Sequence, residues 1–133
     1  MALNNPYAAY QQNSINMATP GELTLMLFDG CLKFMKLAKQ AIEQEDMETK
    51  NTNLVKAQNI IQELNITLDR KVELAASMGA MYEYIHRRLI EANINNDKDI
   101  VAEVEGYVKD LRDAWKQALQ IERQGRFGSG GLA

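Results

Sequence analysis

The sequence predicts an all-α fold: an antiparallel up-down four-helix bundle with an N-terminal extension that packs on the bundle. Three observations carry this expectation. The two prolines, Pro6 and Pro20, both lie near the start, and residues 31–78 contain neither glycine nor proline. Apolar residues recur at spacings of three and four over four separate stretches, which keeps one face of each helix toward a core. No segment carries the strict alternation or the turn dipeptides of a β-protein.

The first helix has a strong start. Thr19 suits the N-cap, Pro20 the first helical position, and Glu22 completes a capping box. Leu23, Leu27, Gly30, Phe34, Leu37 and Ala41 then mark an inward stripe, and the polar run 44–53 holds the first turn. Leu54, Ala57, Ile61, Leu64 and Leu68 mark the second helix, after which Asp69 offers a cap for the third. Leu74, Met78, Met81, Ile85, Leu89 and Ala92 mark the third, and residues 93–97 form an Asn-rich turn. The fourth follows Ile100, Val104, Tyr107, Leu111, Ala114 and Ala118, widened by Val101, Val108 and Trp115. Gly79 and Gly106 fall inside helices, where they admit close approach of a neighbouring backbone. The expected organisation is an extension or latch over residues 1–18, the bundle over 19–124 and a flexible Gly-rich tail over 125–133. Helices of about 20 residues are about 30 Å long, and short connections pack them antiparallel.

The chain has 133 residues and a formal net charge of −3, which suits one domain and argues against nucleic acid as the main partner. A single cysteine, Cys31, permits no internal disulfide and fits a reducing compartment. The start shows no basic stretch followed by an apolar one, and no apolar run is long enough to cross a bilayer. A cytoplasmic protein without membrane insertion is expected.

One feature exceeds what a plain bundle needs. Leu25, Phe28, Leu32 and Met35 form a second apolar stripe on the first helix, roughly opposite the first. Such a back face needs a cover. The extension, with Tyr7, Tyr10 and Ile15 among its apolar points, is one cover; a partner's helix is another; a central or dimeric position of the helix is the structural alternative.

Catalytic and metal chemistry find little support. His86 follows Glu83 in half of a di-iron helical motif, but no second histidine completes it. A histidine phosphotransfer role for His86 meets bulky neighbours in Arg87, Arg88, Leu89 and Ile90. Cys31 lies among core-period residues without a nearby histidine. Lys33, Lys36 and Lys39 share a flank that reads as a solvated face. No enzyme activity and no cofactor is expected.

Motifs in order along nearly the whole chain resemble one family. Ala18-Thr-Pro-Gly-Glu-Leu-Thr-Leu-Met-Leu-Phe-Asp-Gly-Cys-Leu-Lys-Phe34 resembles the first-helix signature of the flagellar secretion chaperone FliS family. Pro6-Tyr-Ala-Ala-Tyr-Gln-Gln12 resembles its N-terminal segment and Lys56-Ala-Gln-Asn-Ile-Ile-Gln-Glu-Leu64 its second helix. Met81-Tyr-Glu-Tyr-Ile-His-Arg-Arg-Leu-Ile-Glu-Ala-Asn93 resembles the third helix; Glu103-Val-Glu-Gly-Tyr107 and Arg112-Asp-Ala-Trp-Lys116 resemble the fourth. One departure stands between helices two and three, where many members carry a Gly-Gly-Glu-like element and this chain reads Arg70-Lys-Val-Glu-Leu74.

The resemblance implies a cytoplasmic chaperone of flagellar type III export. Such a protein binds the disordered C-terminal segment of flagellin, prevents its premature polymerisation and presents it to the export gate, with other flagellar regulators as further partners. It also implies that the N-terminal segment contributes to the client site or covers it. The expected client-binding residues are Tyr7, Tyr10, Ile15, Leu25, Phe28, Leu32 and Met35. An adaptor bundle for a folded partner is the alternative, with the phosphotransfer domain last.

Overall fold

The computed structural model describes residues 19–71 and 73–132, with side chains as far as Gly125. Four helices follow one another: α1 (Pro20–Glu43), α2 (Met47–Ile66), α3 (Ala75–Asn95) and α4 (Lys98–Leu132). They form a ring in which α1 packs on α2 and α4, and α3 packs on the same two. The antiparallel four-helix bundle is therefore present. The extension over residues 1–18 lies outside the described residues.

The start of α1 is closed as the sequence requires. The Thr19 hydroxyl accepts from the Glu22 amide at 3.2 Å, and the Glu22 carboxylate accepts from the Thr19 amide at 3.4 Å. This reciprocal box satisfies two of the donors that a helix start leaves unpaired. The far end of α4 packs on the same turn: the Trp115 indole donates to the Gly21 carbonyl at 2.9 Å, and Arg123 pairs with Glu22 at 2.9 Å.

Two tight turns close one end of the bundle. After α1, Glu45 takes a left-handed conformation with φ of 58°, and the Asp46 amide donates back to the Ala41 carbonyl at 2.9 Å. After α3, Asn96 does the same with φ of 52°, and the Asp97 amide donates to Ala92 at 3.0 Å. Both are the six-to-one closure that ends a helix sharply. Asp46 and Asp97 then cap the following helices, accepting from Thr49 and from Asp99 and Ile100.

Lys50 links the two turns. It is buried, and its ammonium donates to the Asn93 carbonyl at 2.8 Å and to Asn96 Oδ1 at 2.6 Å. A cation thus sits at the C-terminal end of α3, where the helix dipole and the last carbonyls are negative. Beside it, Asn93 Nδ2 donates to Asn51 Oδ1 at 2.8 Å, which sets the level of α2 against α3.

The core stripes differ from expectation at several positions. On α2, Leu54, Ala57, Ile61 and Leu64 are buried as predicted, joined by Ile60. On α3, the third helix starts at Ala75, so Ala75, Gly79 and Tyr82 take the inward positions and Leu74 is exposed. Asp69 does not cap α3; it accepts from the Lys71 amide within the connection. On α4, Val101, Val104 and Val108 are central while Tyr107, Ala114 and Ala118 face outward. α4 also runs past Gly125, where the sequence places a boundary, to Leu132.

Neither internal glycine meets a backbone. A Cβ on Gly79 meets the end of the Arg70 side chain, and one on Gly106 meets nothing within 4 Å. The closer approach is at Gly21, where a Cβ would stand 2.5 Å from a Leu119 methyl.

Two outcomes follow from this packing. Replacing Lys50 by Met leaves the Asn93 carbonyl and the Asn96 amide oxygen without their donor. Urea denaturation should show a loss of roughly 1–3 kcal/mol. Gly106→Ala should raise stability by about 0.5–1 kcal/mol, because a helix-interior methyl is added without a clash.

Candidate functional site

The expected apolar back face of α1 is not a free surface. Phe28 and Met35 have no exposed area and belong to the central core; Leu25 and Leu32 are half-buried. The reason lies in the residues between the two stripes. Cys31 and Ala38 are fully buried and stand midway around the helix. They join the stripes into one broad buried face. One flank meets α2, where the Cys31 thiol approaches the Ala57 carbonyl and the Lys56 ammonium lies 5.3 Å from the centre of the Phe34 ring. The other meets α4 through the Lys39–Glu105 and Asp29–Arg112 pairs. Tyr7, Tyr10 and Ile15 lie outside the described residues. The structure thus brings Phe28 and Met35 together in the interior and leaves Leu25 and Leu32 at its edge.

A groove opens instead between α2 and α3. It has a volume of about 350 Å³, with Ile61 and Tyr82 among its apolar walls and Gln62, Asn65, Glu83, His86 and Arg87 as polar ones. Four large apolar side chains stand exposed on the outer faces of the two helices that form it. Helical spacing puts Val55 and Ile66 in the row of Gln62, and Ile90 and Ile94 in the row of His86. Ile66 and Ile94 are 77% and 74% exposed. The Asn51–Asn93 hydrogen bond brings Val55 level with Ile90 across the seam. A shallow groove with apolar rims is the shape that receives the apolar face of an amphipathic helix.

These four residues lie off the core periodicity, so inward stripes do not reveal them. The signal available was a β-branched pair, Ile90 and Ile94, repeating at four after His86 on an otherwise polar flank.

A polar network ties α3 to α4 on the other side of α3. The Glu103 carboxylate accepts from the Tyr84 hydroxyl at 2.7 Å and from Arg88 at 3.0 and 2.9 Å. The Tyr84 and Tyr107 rings meet edge to face at 6.0 Å, and Arg88 also pairs with Glu91. The hydrogen bonds from Tyr84 and Arg88 hold the Glu103 carboxyl below the ordinary glutamate range. Burial pushes the Cys31 thiol up and so keeps it protonated, which removes the thiolate a nucleophile needs. Burial likewise moves the Tyr82 phenol up to about 12.

Comparison with known proteins decides the family. A family model described as flagellar protein FliS matches residues 3–122. The chain belongs to the FliS family. It is 71% identical over 133 residues to the flagellar secretion chaperone FliS of Bacillus subtilis, covering 100% of both chains. It is 37% identical over 111 residues to the flagellar secretion chaperone FliS of Escherichia coli, covering 81% of this chain and 82% of that one. A solved structure described as a flagellar chaperone from bacteria superposes with a TM-score of 0.72 at 19% identity, covering 86% of this chain and 94% of that one; it supports the fold. FliS proteins are chaperones, which is not an enzyme class. No described helix is long and apolar enough to cross a membrane.

Two measurements check this placement. Phe28→Ala should cost about 3–5 kcal/mol by chemical denaturation, as for a fully buried aromatic ring. Because the folded-state pKa of Glu103 is lowered, its contribution is present above the ordinary glutamate value of 4.5 and lost as pH falls through the lower folded value. The stability deficit of Glu103→Gln should therefore be largest near neutral pH and shrink as the pH is taken below about 4.

Proposed function

We propose that this protein is a cytoplasmic export chaperone for flagellin. It binds the disordered C-terminal segment of flagellin, keeps it from polymerising early and presents it to the flagellar export gate, where other flagellar regulators also meet it. The observation that carries the reading is the full-length likeness to a flagellar secretion chaperone, at 71% identity. The α2–α3 groove supports it, because Val55, Ile66, Ile90 and Ile94 leave apolar anchors that the bundle itself does not cover.

The mechanism is coupled folding and binding. A disordered tail loses conformational entropy when it becomes helical, and burial of apolar surface offsets that cost. Several shallow anchors spread along a seam suit this better than one deep pocket. They grip successive turns of a forming helix, and the grip is reversible at the export gate. Residues 1–18, with Tyr7, Tyr10 and Ile15, act as a latch that competes for client surface. Leu25 at the edge of α1 is the accessible part of that surface on the first helix, while Leu32 opens into the α1–α4 seam. Phe28 and Met35 support it from beneath.

Calorimetric titration with a synthetic flagellin C-terminal peptide, followed by circular dichroism, tests the reading. Saturable one-to-one binding with a gain of helix is expected. No heat at two temperatures and no added helix would refute it. Ile90→Asp should keep the helical spectrum and weaken the peptide by about tenfold or more, as loss of an apolar anchor does. Deleting residues 1–17 should raise binding of an apolar dye and change peptide affinity; no change in either would dispose of the latch.

A further inference from the structure

A second groove, of about 640 Å³, runs along the α1–α4 seam. The order of the ring sets this seam opposite the α2–α3 seam. Leu32, Lys33 and Lys36 line it from α1; Gly106, Lys109 and Arg112 line it from α4. Its chemistry differs from that of the whole chain. The protein carries a formal charge of −3, yet four cations line this groove against two carboxylates, Asp29 and Glu105. Both carboxylates are already engaged, Asp29 by Arg112 at 3.0 Å and Glu105 by Lys39. Lys33, Lys36 and Lys109 have no ion-pair partner among the described residues.

The position of Gly106 adds a second argument. A glycine inside a helix costs about 1 kcal/mol relative to alanine. Here no neighbour within 4 Å uses the space of the missing Cβ. The room it leaves faces the groove, so nothing in the bundle itself offsets the cost. We propose that the α1–α4 groove docks an acidic amphipathic helix of a partner protein, apart from the α2–α3 surface. Carboxylates on its flanks pair with Lys33, Lys36 and Lys109, and its apolar edge rests on Leu32 over Gly106. The cations repeat at helical spacing along two antiparallel rims, which a helix with carboxylates on both flanks matches. A flat anionic lipid surface reaches rim lysines but not a side chain set between two helices.

The inference is independent of flagellin binding, and its test keeps the two apart. The probe is a short synthetic helical peptide with leucine on one face and glutamate on both flanks; its lysine-flanked counterpart is the control. It is titrated into the full ¹⁵N-labelled chain. The glutamate peptide should shift amides around Leu32, Ala102 and Gly106, weaken with rising salt, and bind about tenfold or more weakly to a Lys33→Gln, Lys36→Gln, Lys109→Gln variant whose helical spectrum is unchanged. The lysine peptide should not bind, and flagellin peptide affinity should be the same in that variant. The proposal is overturned if the glutamate peptide moves no amide of this seam or binds the variant equally well. It is overturned too if flagellin peptide displaces the probe from the seam, which would make the groove part of the client site. Binding of phosphatidylglycerol vesicles that the variant loses, without peptide binding, would assign the groove to a membrane surface and equally reject a protein helix.

Discussion

The structure depends on one constraint: α1 must face α2 and α4 at once. Each helix of a ring of four lies between two neighbours, and α1 meets both with a broad buried face. The first helix meets this demand with its bulkiest buried residues on the flanks and only small ones between. Phe34 and Ala41 lie on one flank and Phe28 and Met35 on the other, while Cys31 and Ala38 fill the middle, all of them buried. Small side chains there let both neighbours approach, and the cysteine acts as a small apolar residue whose thiol is held neutral by burial. Because α1 spends this much of its surface on the core, little of it remains for a partner. The proposed binding surfaces accordingly lie at the seams between helices.

The two ends of the bundle are built differently. At one end, left-handed Glu45 and Asn96 close two turns by the same backbone bond, two aspartates cap the next helices, and buried Lys50 joins the turns. Backbone donors and acceptors there are well matched, and Met47 and Ile94 are the large apolar side chains left exposed. At the other end the connection from α2 to α3 starts its helix from Leu74 without a side-chain cap, and both Ile66 and Leu74 stand in solvent. A helix start without a side-chain cap and more exposed apolar area mean a smaller free-energy cost of local adjustment at this end. It is also the end that holds Pro20, from which the extension departs.

Much of the fold was legible because its signals are local. The Thr19–Pro20–Glu22 start is a capping box in the sequence and in space. The Asn-rich turn needed a left-handed residue, and Asn96 supplies it. The α2 stripe and Val101, Val104 and Val108 follow directly from period. What could not be read depends on a neighbour. Cys31 and Ala38 carry too little apolar bulk to mark a face alone, so the two stripes beside them looked separate. Leu74 and Ala75 differ by one residue in where α3 begins, and no breaker in the sequence marks that boundary. Lys50 reads as a surface lysine in a polar run; only the carbonyls arriving from α3 make it interior. The exposed isoleucines of α2 and α3 are defined by what does not cover them, which no single-helix pattern encodes.

The two seams divide recognition by chemistry. In the proposed reading, exposed isoleucines beside a mixed groove receive a forming helix without strong demands on its sequence, since dispersion and area are non-directional. A cationic groove discriminates by sign, because a like-charged occupant is repelled while an acidic one is steered in. Placing the two on opposite sides of a ring means that an occupant of one seam does not collide with an occupant of the other. Their only shared structure is the core, and that core is filled by residues with almost no exposed area. A close-packed interior of this kind resists gradual deformation. Occupancy of one groove therefore reaches the other only by moving a whole helix against its two neighbours in the ring.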